Sequence, residues 1–173
     1  MSRPPLRLLF VCTGNSARSQ IAEAVLNAEA GGRVVAESAG VEPAARVNPL
    51  AVRVLEEYGY ASPGHAPRGL DVAATREWDC VVTVCDHARE SCPLLPGRPA
   101  VAHWGMPDPA AVGGSDAVRR AAFEAAFRVI RGRVRRLLAL SPERLSRGEL
   151  AQQVDAIARE PSGPTSAGEH RAG

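Results

Sequence analysis

The chain of 173 residues contains no lysine; all 21 of its basic residues are arginine. Against 19 acids they leave a formal charge of +2, too small to call for nucleic acid as a partner. Arg119, Arg120, Arg128, Arg131, Arg133, Arg135 and Arg136 are spread around one predicted helix, the pattern of a solvated face. Aromatics are scarce, 4% of a chain that is 45% apolar, so the core is expected to consist mostly of Ala, Val and Leu. No apolar run approaches the ~18 residues of a membrane span. "MSRPPLRLLFVC" is short and lacks a small-residue cleavage site, so the cytoplasm is the expected compartment and no membrane partner is expected. Cysteine is limited to four, which in a reducing compartment argues against a disulfide framework and for catalysis, redox work or metal. There is no internal repeat.

What is present is an alternation of strand and helix patterns, in a length that suits one domain with a real core. "LRLLFVC" is a continuous apolar run ending in a turn-rich segment, the signature of a buried parallel strand. "SQIAEAVLNAEA" follows at helical spacing and stops at a Gly-Gly pair. "RVVAESAG" reads as a second strand, and "NPLAVRVLEEYG" as a helix with Pro49 near its start and Gly59 past its end. "DCVVTVC" and "PAVAHW" read as the third and fourth strands. Residues 116–140 predict the longest helix, with Phe123, Phe127, Ile130, Val134 and Leu137 along one stripe. The fold predicted for residues 1–140 is therefore α/β, a four-stranded parallel sheet flanked by helices. Residues 141–173 read as a C-terminal extension: a short helix in "RGELAQQVDAIARE", then "PSGPTSAGEHRAG", too rich in Pro, Gly and Ser to order.

The first strand runs into "FVCTGNSARSQ". A strand, a tight loop and a helix point backbone N–H groups at an anion. Gly14 permits close approach or positive φ, and Asn15 tolerates a left-handed turn. Arg18 offers a bidentate fork to an oxyanion. Cys12 stands where strand end meets helix N-terminus, a position that lowers a thiol toward thiolate. Ser19 can donate its hydroxyl proton to that sulfur. The set describes a nucleophile seated in an oxyanion cradle, with the amides of Thr13, Gly14, Asn15, Ser16, Ala17 and Arg18 as its wall. Cys85 and Cys92, in "VTVCDHARESCPLLP", add two thiols at another strand's C-terminal end, which suggests disulfide exchange through a loop able to move. Asp108, in "HWGMPDPAAV", supplies a carboxylic acid to protonate a departing oxygen. Cys80, inside a strand, reads as core.

"VCTGNSARSQIAEA" resembles the phosphate loop of the low-molecular-weight protein tyrosine phosphatase family, most closely of the thioredoxin-coupled arsenate reductases built on that fold. The likeness runs from about residue 6 to 139 and includes "ESAG", "VNPLAV", "VVTVCDHARESCP" and "HWGMPDPA". It implies that Cys12 attacks arsenic while Arg18 and the loop amides hold arsenate, with phosphate or sulfate as competing oxyanions. It further implies Asp108 as general acid, attack of Cys85 on Cys12 to release arsenite, and attack of Cys92 on Cys85 to leave a disulfide for thioredoxin. The tyrosine phosphatases place an aromatic after their Asp-Pro, where this chain has Ala110, an opening suited to a small oxyanion. A monomer needing no cofactor is expected.

Some related reductases hold a potassium ion under the loop with an Asn, a Glu, a Ser and an Asp. Asn15, Glu23 and Ser38 match the first three; the fourth position falls on Arg68, with Asp71 close by as the other equivalent. An arginine there replaces the cation with its own charge. Two other readings stand beside the reductase. One is a phosphatase whose extra cysteines protect Cys12 from over-oxidation. The other is a non-enzymatic metal- or arsenic-binding module using Cys85 and Cys92 as soft ligands. A zinc set drawn from Cys80, Cys85, His87, Cys92 and His103 fits no standard spacing. His65, His87, His103 and His170 receive no role.

Overall fold

The computed structural model describes residues 3–160; the Pro- and Gly-rich segment 161–173 lies outside them. Four parallel strands, β1 (Leu6–Cys12), β2 (Val34–Gly40), β3 (Cys80–Thr83) and β4 (Ala100–His103), form one sheet in the order β2-β1-β3-β4. The apolar run of β1 places it centrally, and Leu8 through Cys12 are all buried. The chain leaves β1 toward β2 on one side and later returns to β3 on the other, so the crevice between β1 and β3 is the switch point where α/β sheets bind ligands.

Six helices cover the sheet: α1 (Arg18–Glu29), α2 (Pro49–Glu57), α3 (Leu70–Ala73), α4 (Asp86–Ser91), α5 (Asp116–Ala139) and α6 (Arg147–Ile157). The stripe predicted for α5 is the buried one: Phe123, Phe127, Ile130, Val134 and Leu137, joined by Ala126. The few aromatics concentrate at two joints. Phe10 meets Trp104 with centroids 5.8 Å apart, and Phe127 lies 4.4 Å from Tyr58 and 5.6 Å from Tyr60. The α5 arginines are not a free basic face. Arg120 pairs with Glu57, Arg128 with Glu124 and Arg135 with Glu29, while Arg131 lies over the rings of Tyr58 and Phe127.

Two elements differ from the sequence reading. "DHARES", expected as a loop able to move, is the helix α4, and Ala88 anchors it with no exposed surface. The short helix after Ser141 forms as α6, but as a part of the fold and not an appendage to a domain ending at 140. Leu150, Val154 and Ile157 are buried, the Trp104 indole donates to the Val154 carbonyl at 2.8 Å, and the His103 amide donates to Asp155 Oδ1 at 2.9 Å. A capping box between Ser146 and Glu149 starts it.

Candidate active site

The loop after β1 is shaped by the segment behind it. The carbonyls of Cys12, Thr13, Gly14 and Ser16 accept hydrogen bonds from the amides of Val41, Glu42, Ala44 and Asn48. In a trans peptide the N–H points opposite to the C=O of the same plane. The amides of Thr13, Gly14, Asn15 and Ala17 therefore face the other way, into the bowl of the loop. The Asn15 amide confirms the sense, donating to Cys12 Sγ at 3.1 Å. Asn15 takes the left-handed conformation, at φ 51°, while Gly14 serves close approach: a Cβ there would lie 3.3 Å from Ser16 Oγ. Gly40 has a role the sequence reading did not give it. A Cβ at Gly40 would stand 2.6 Å from the Thr13 carbonyl oxygen and 2.8 Å from the Asn15 nitrogen, so the loop rests directly on the end of β2.

Cys12 is buried at the floor of this bowl. Its sulfur lies 2.8 Å from Ser19 Oγ, which in turn accepts from Asn15 Nδ2 at 2.8 Å. An amide nitrogen can only donate, so the Ser19 hydroxyl is free to give its own proton to the sulfur. The thiol is not lowered as its position suggested. Burial pushes it above the ordinary thiol range, and the Ser19 hydroxyl, the Ser19 and Asn15 amides and the Arg18 charge pull back only in part. Arg18 is buried too; its Nη1 donates to the Met106 carbonyl at 3.0 Å, and Nη2 lies 3.9 Å from Asp108 Oδ2. Asp108 caps a short 3-10 turn, Pro109–Ala111, by accepting from the Ala110 amide, and its carboxyl is about half exposed. The predicted nucleophile, hydroxyl donor, clamp and acid thus meet at one end of the sheet. Arg18→Lys should cut kcat/KM by at least about tenfold, ~1.4 kcal/mol of transition-state stabilisation, because an ammonium cannot present two parallel N–H groups. Steady-state kinetics showing less than a threefold change would remove the clamp.

β3 stops at Thr83, two residues before its predicted end, which frees Cys85 from the ladder. Cys85 caps α4, its sulfur accepting from the Ala88 amide at 3.3 Å, and lies 3.2 Å from Oγ1 of Thr13, the residue that follows Cys12. Cys92 ends α4 and is half-buried, which pushes its thiol up. Cys80 is fully buried and pushed up to about 12 by burial and the Asp79 charge, a core residue as expected. All four thiols are free. Among the described residues no three His, Cys, Asp or Glu side chains are grouped as a metal site, so the zinc set is not assembled.

Beneath the loop, Asn15, Glu23 and Ser38 do come together. Asn15 Nδ2 donates to Ser38 Oγ at 2.9 Å, and Ser38 Oγ donates to Glu23 Oε1 at 3.2 Å. The oxygens a potassium ion needs are already taken by donors. Arg68 gives its amide to Asn15 Oδ1 at 3.1 Å, its Nε to the Ser38 carbonyl at 2.9 Å and its Nη2 to Glu23 Oε1 at 3.4 Å. His65, which the sequence reading left as a loop residue, holds the same carboxylate at 2.9 Å. Burial pushes Glu23 up, opposed by His65, Arg68 and Ser38. Asp71 instead lies in the first turn of α3. This set does not fit a potassium ion.

The family described as low molecular weight phosphotyrosine protein phosphatase matches residues 7–153, which takes in most of α6. An arsenate reductase of Halalkalibacterium halodurans is 39% identical over 116 residues, 67% of this chain and 83% of that protein. The crystal structure of an arsenate reductase from Archaeoglobus fulgidus superposes with a TM-score of 0.63 at 36% identity, covering 76% of this chain and 98% of the other. A thioredoxin-dependent arsenate reductase of Corynebacterium glutamicum gives a TM-score of 0.63 at 30% identity, over 82% of this chain and 64% of its own.

Proposed function

The chain belongs to the low molecular weight phosphotyrosine protein phosphatase family, and from that premise we propose that it is an arsenate reductase working through Cys12, Cys85 and Cys92. The observation that carries this reading is the placement of the three thiols. One sits at the floor of an amide-lined bowl, and the other two cap the two ends of one short helix beside it. Phosphate-ester hydrolysis needs only the first, and a small side activity of that kind fits the same bowl.

Each step follows from a group in place. Arsenate enters the bowl against the inward amides and Arg18, one of its oxygens takes the Cys12 proton, and the thiolate so formed, held by the Ser19 hydroxyl, attacks arsenic. An As–O bond breaks as the S–As bond forms, and Asp108 gives its proton to the departing hydroxide, which leaves as water. Cys85 then attacks Cys12 Sγ. The electron pair of the S–As bond stays on arsenic, which leaves as arsenite, and a Cys12–Cys85 disulfide remains. Cys92 attacks Cys85 Sγ, expels the Cys12 thiolate and leaves a Cys85–Cys92 disulfide. A dithiol protein of the thioredoxin class reduces it.

The last exchange requires α4 to open. The seven residue steps from Cys85 through α4 to Cys92 set the two roughly 10 Å apart along the axis, while a disulfide needs Cα atoms within about 7 Å. Ala88 is the buried residue of α4, so opening costs little apolar burial. Phosphate and sulfate compete for the bowl, and the protein acts as a monomer in the cytoplasm, where free thiols persist. No helix among the described residues is long and apolar enough to cross a membrane.

The deciding experiment is arsenate-dependent NADPH consumption with thioredoxin and its reductase, against phosphate-ester hydrolysis by the same preparation. Ester hydrolysis without arsenate turnover would return the chain to the phosphatases. The reductase should also be indifferent to potassium, since Arg68 pairs with Glu23 and His65 hydrogen-bonds the same carboxylate. Replacing tetramethylammonium chloride by potassium chloride at constant ionic strength should change kcat/KM by less than about twofold, a difference below ~0.4 kcal/mol. A potassium requirement would show that Arg68 yields its place.

A further inference from the structure

We propose that His103 and Asp86 form a latch that restrains α4 in its closed form, making His103 a positioning residue for the second disulfide exchange. The proposal rests on the three-thiol reading above. His103 is the last residue of β4, paired in register with Thr83 of β3. Its ring is fixed to the sheet: Nδ1 lies 2.8 Å from Thr83 Oγ1, and its backbone amide donates to Asp155 of α6. That leaves Nε2, which lies 3.0 Å from Asp86 Oδ1. The neutral ring with its proton on Nε2 accepts from Thr83, and the imidazolium donates to it; in both forms Nε2–H faces Asp86.

Asp86 is the first residue of α4 and follows Cys85 directly. The helix has its own bond from the Arg89 amide to the Cys85 carbonyl, and the buried Ala88. Beside these, two side-chain ties hold its first turn: the Cys85 sulfur, which accepts from the Ala88 amide and touches Thr13 Oγ1, and the bond from His103 to Asp86. The first tie is consumed by the chemistry. Once Cys85 is bonded to Cys12, its sulfur is drawn toward Cys12 and no longer caps the Ala88 amide freely. The His103 bond then remains as the side-chain restraint on the first turn of a helix that has to open before Cys92 reaches Cys85. A further contact, His87 to Glu42 at 3.7 Å, joins two exposed side chains. The Asp86 carboxyl is 78% exposed, whereas the His103 side chain is 18% exposed. A pair with one partner in solvent is weak, which suits a restraint that must release in every turnover.

The test uses the full chain, with Asp86→Ala, His103→Ala and the double variant. One measurement is hydrogen exchange at the amides of residues 88–92 in the reduced protein. The other is the rate at which Cys12–Cys85 converts to Cys85–Cys92 after one equivalent of arsenate, read by mass spectrometry after thiol blocking. Each single variant should speed both about threefold, the double no more than either single, since the two side chains act through one bond. Hydrolysis of a small phosphate ester and the KM for arsenate should not move. Wild-type rates in the single variants, an additive double, or an equal change in ester hydrolysis would overturn the latch. Asp86 is exposed, so its variant decides the matter alone if His103→Ala loosens the sheet. Failure of the underlying reading looks different: the wild-type protein would then form no Cys85–Cys92 disulfide.

Discussion

Cys12→Ser should abolish arsenate turnover and phosphate-ester hydrolysis together, by at least about 10⁴-fold, the scale on which enzymes lose activity when a nucleophile is removed. The substitution changes one atom at a buried position, so thermal unfolding should stay close to that of the wild type. The chemistry differs because of the proton. Burial already pushes the Cys12 thiol up, and three polar groups and Arg18 work against it. A serine hydroxyl holds its proton far more tightly than a thiol, and the same surroundings cannot make it an alkoxide. Both reactions begin with attack by this one atom, so they fall together. Appreciable arsenate turnover by the variant would take Cys12 out of the mechanism, and survival of ester hydrolysis alone would separate the two activities.

What was legible in the sequence was whatever depends on neighbours along the chain. A strand, Cys12, a turn-forming Gly14 and Asn15, and Arg18 at a helix start are local facts, and the structure brings them together as read. The direction of the Cys12 shift was not local. A helix N-terminus lowers a thiol, but the desolvation that outweighs it comes from burial on every side. α4 escaped notice because six residues with one buried alanine carry no helical periodicity. α6 did carry its signals, a Ser146-x-x-Glu149 box followed by Leu150, Val154 and Ile157. The helix is therefore legible as a helix, but its place in the fold is not, because the residues it packs on, Trp104 and His103, lie 50 and 52 residues from their partners in the chain. His65 and His103 were unreadable for a plainer reason. Their partners, Glu23 and Asp86, lie 42 and 17 residues away in the chain, and only the folded sheet brings them into reach.

Cys92→Ser and Cys85→Ser should stop the reaction at two different points. In Cys92→Ser the first two thiols are intact, so one equivalent of arsenite is released. The protein should then stall as a Cys12–Cys85 disulfide, because no third thiol moves the oxidation to the far end of α4. In Cys85→Ser nothing lies beside Thr13 to attack Cys12, and arsenite should not leave at all. Both variants should retain hydrolysis of a small phosphate ester under reducing conditions, since Cys12, Arg18 and Asp108 are untouched. Sustained thioredoxin-linked turnover should fall at least about 10³-fold in each, the loss expected when a covalent step has no substitute group. Single-turnover arsenite release, with the disulfides mapped by mass spectrometry, reads each point directly. Cys85 and Cys92 sit at opposite ends of a closed helix, so the Cys92→Ser product also tests the need for opening. Its α4 amides should exchange faster than in the reduced protein, because Cys85 no longer caps them. Continued turnover by either variant would sink the relay and leave the phosphatase reading in its place.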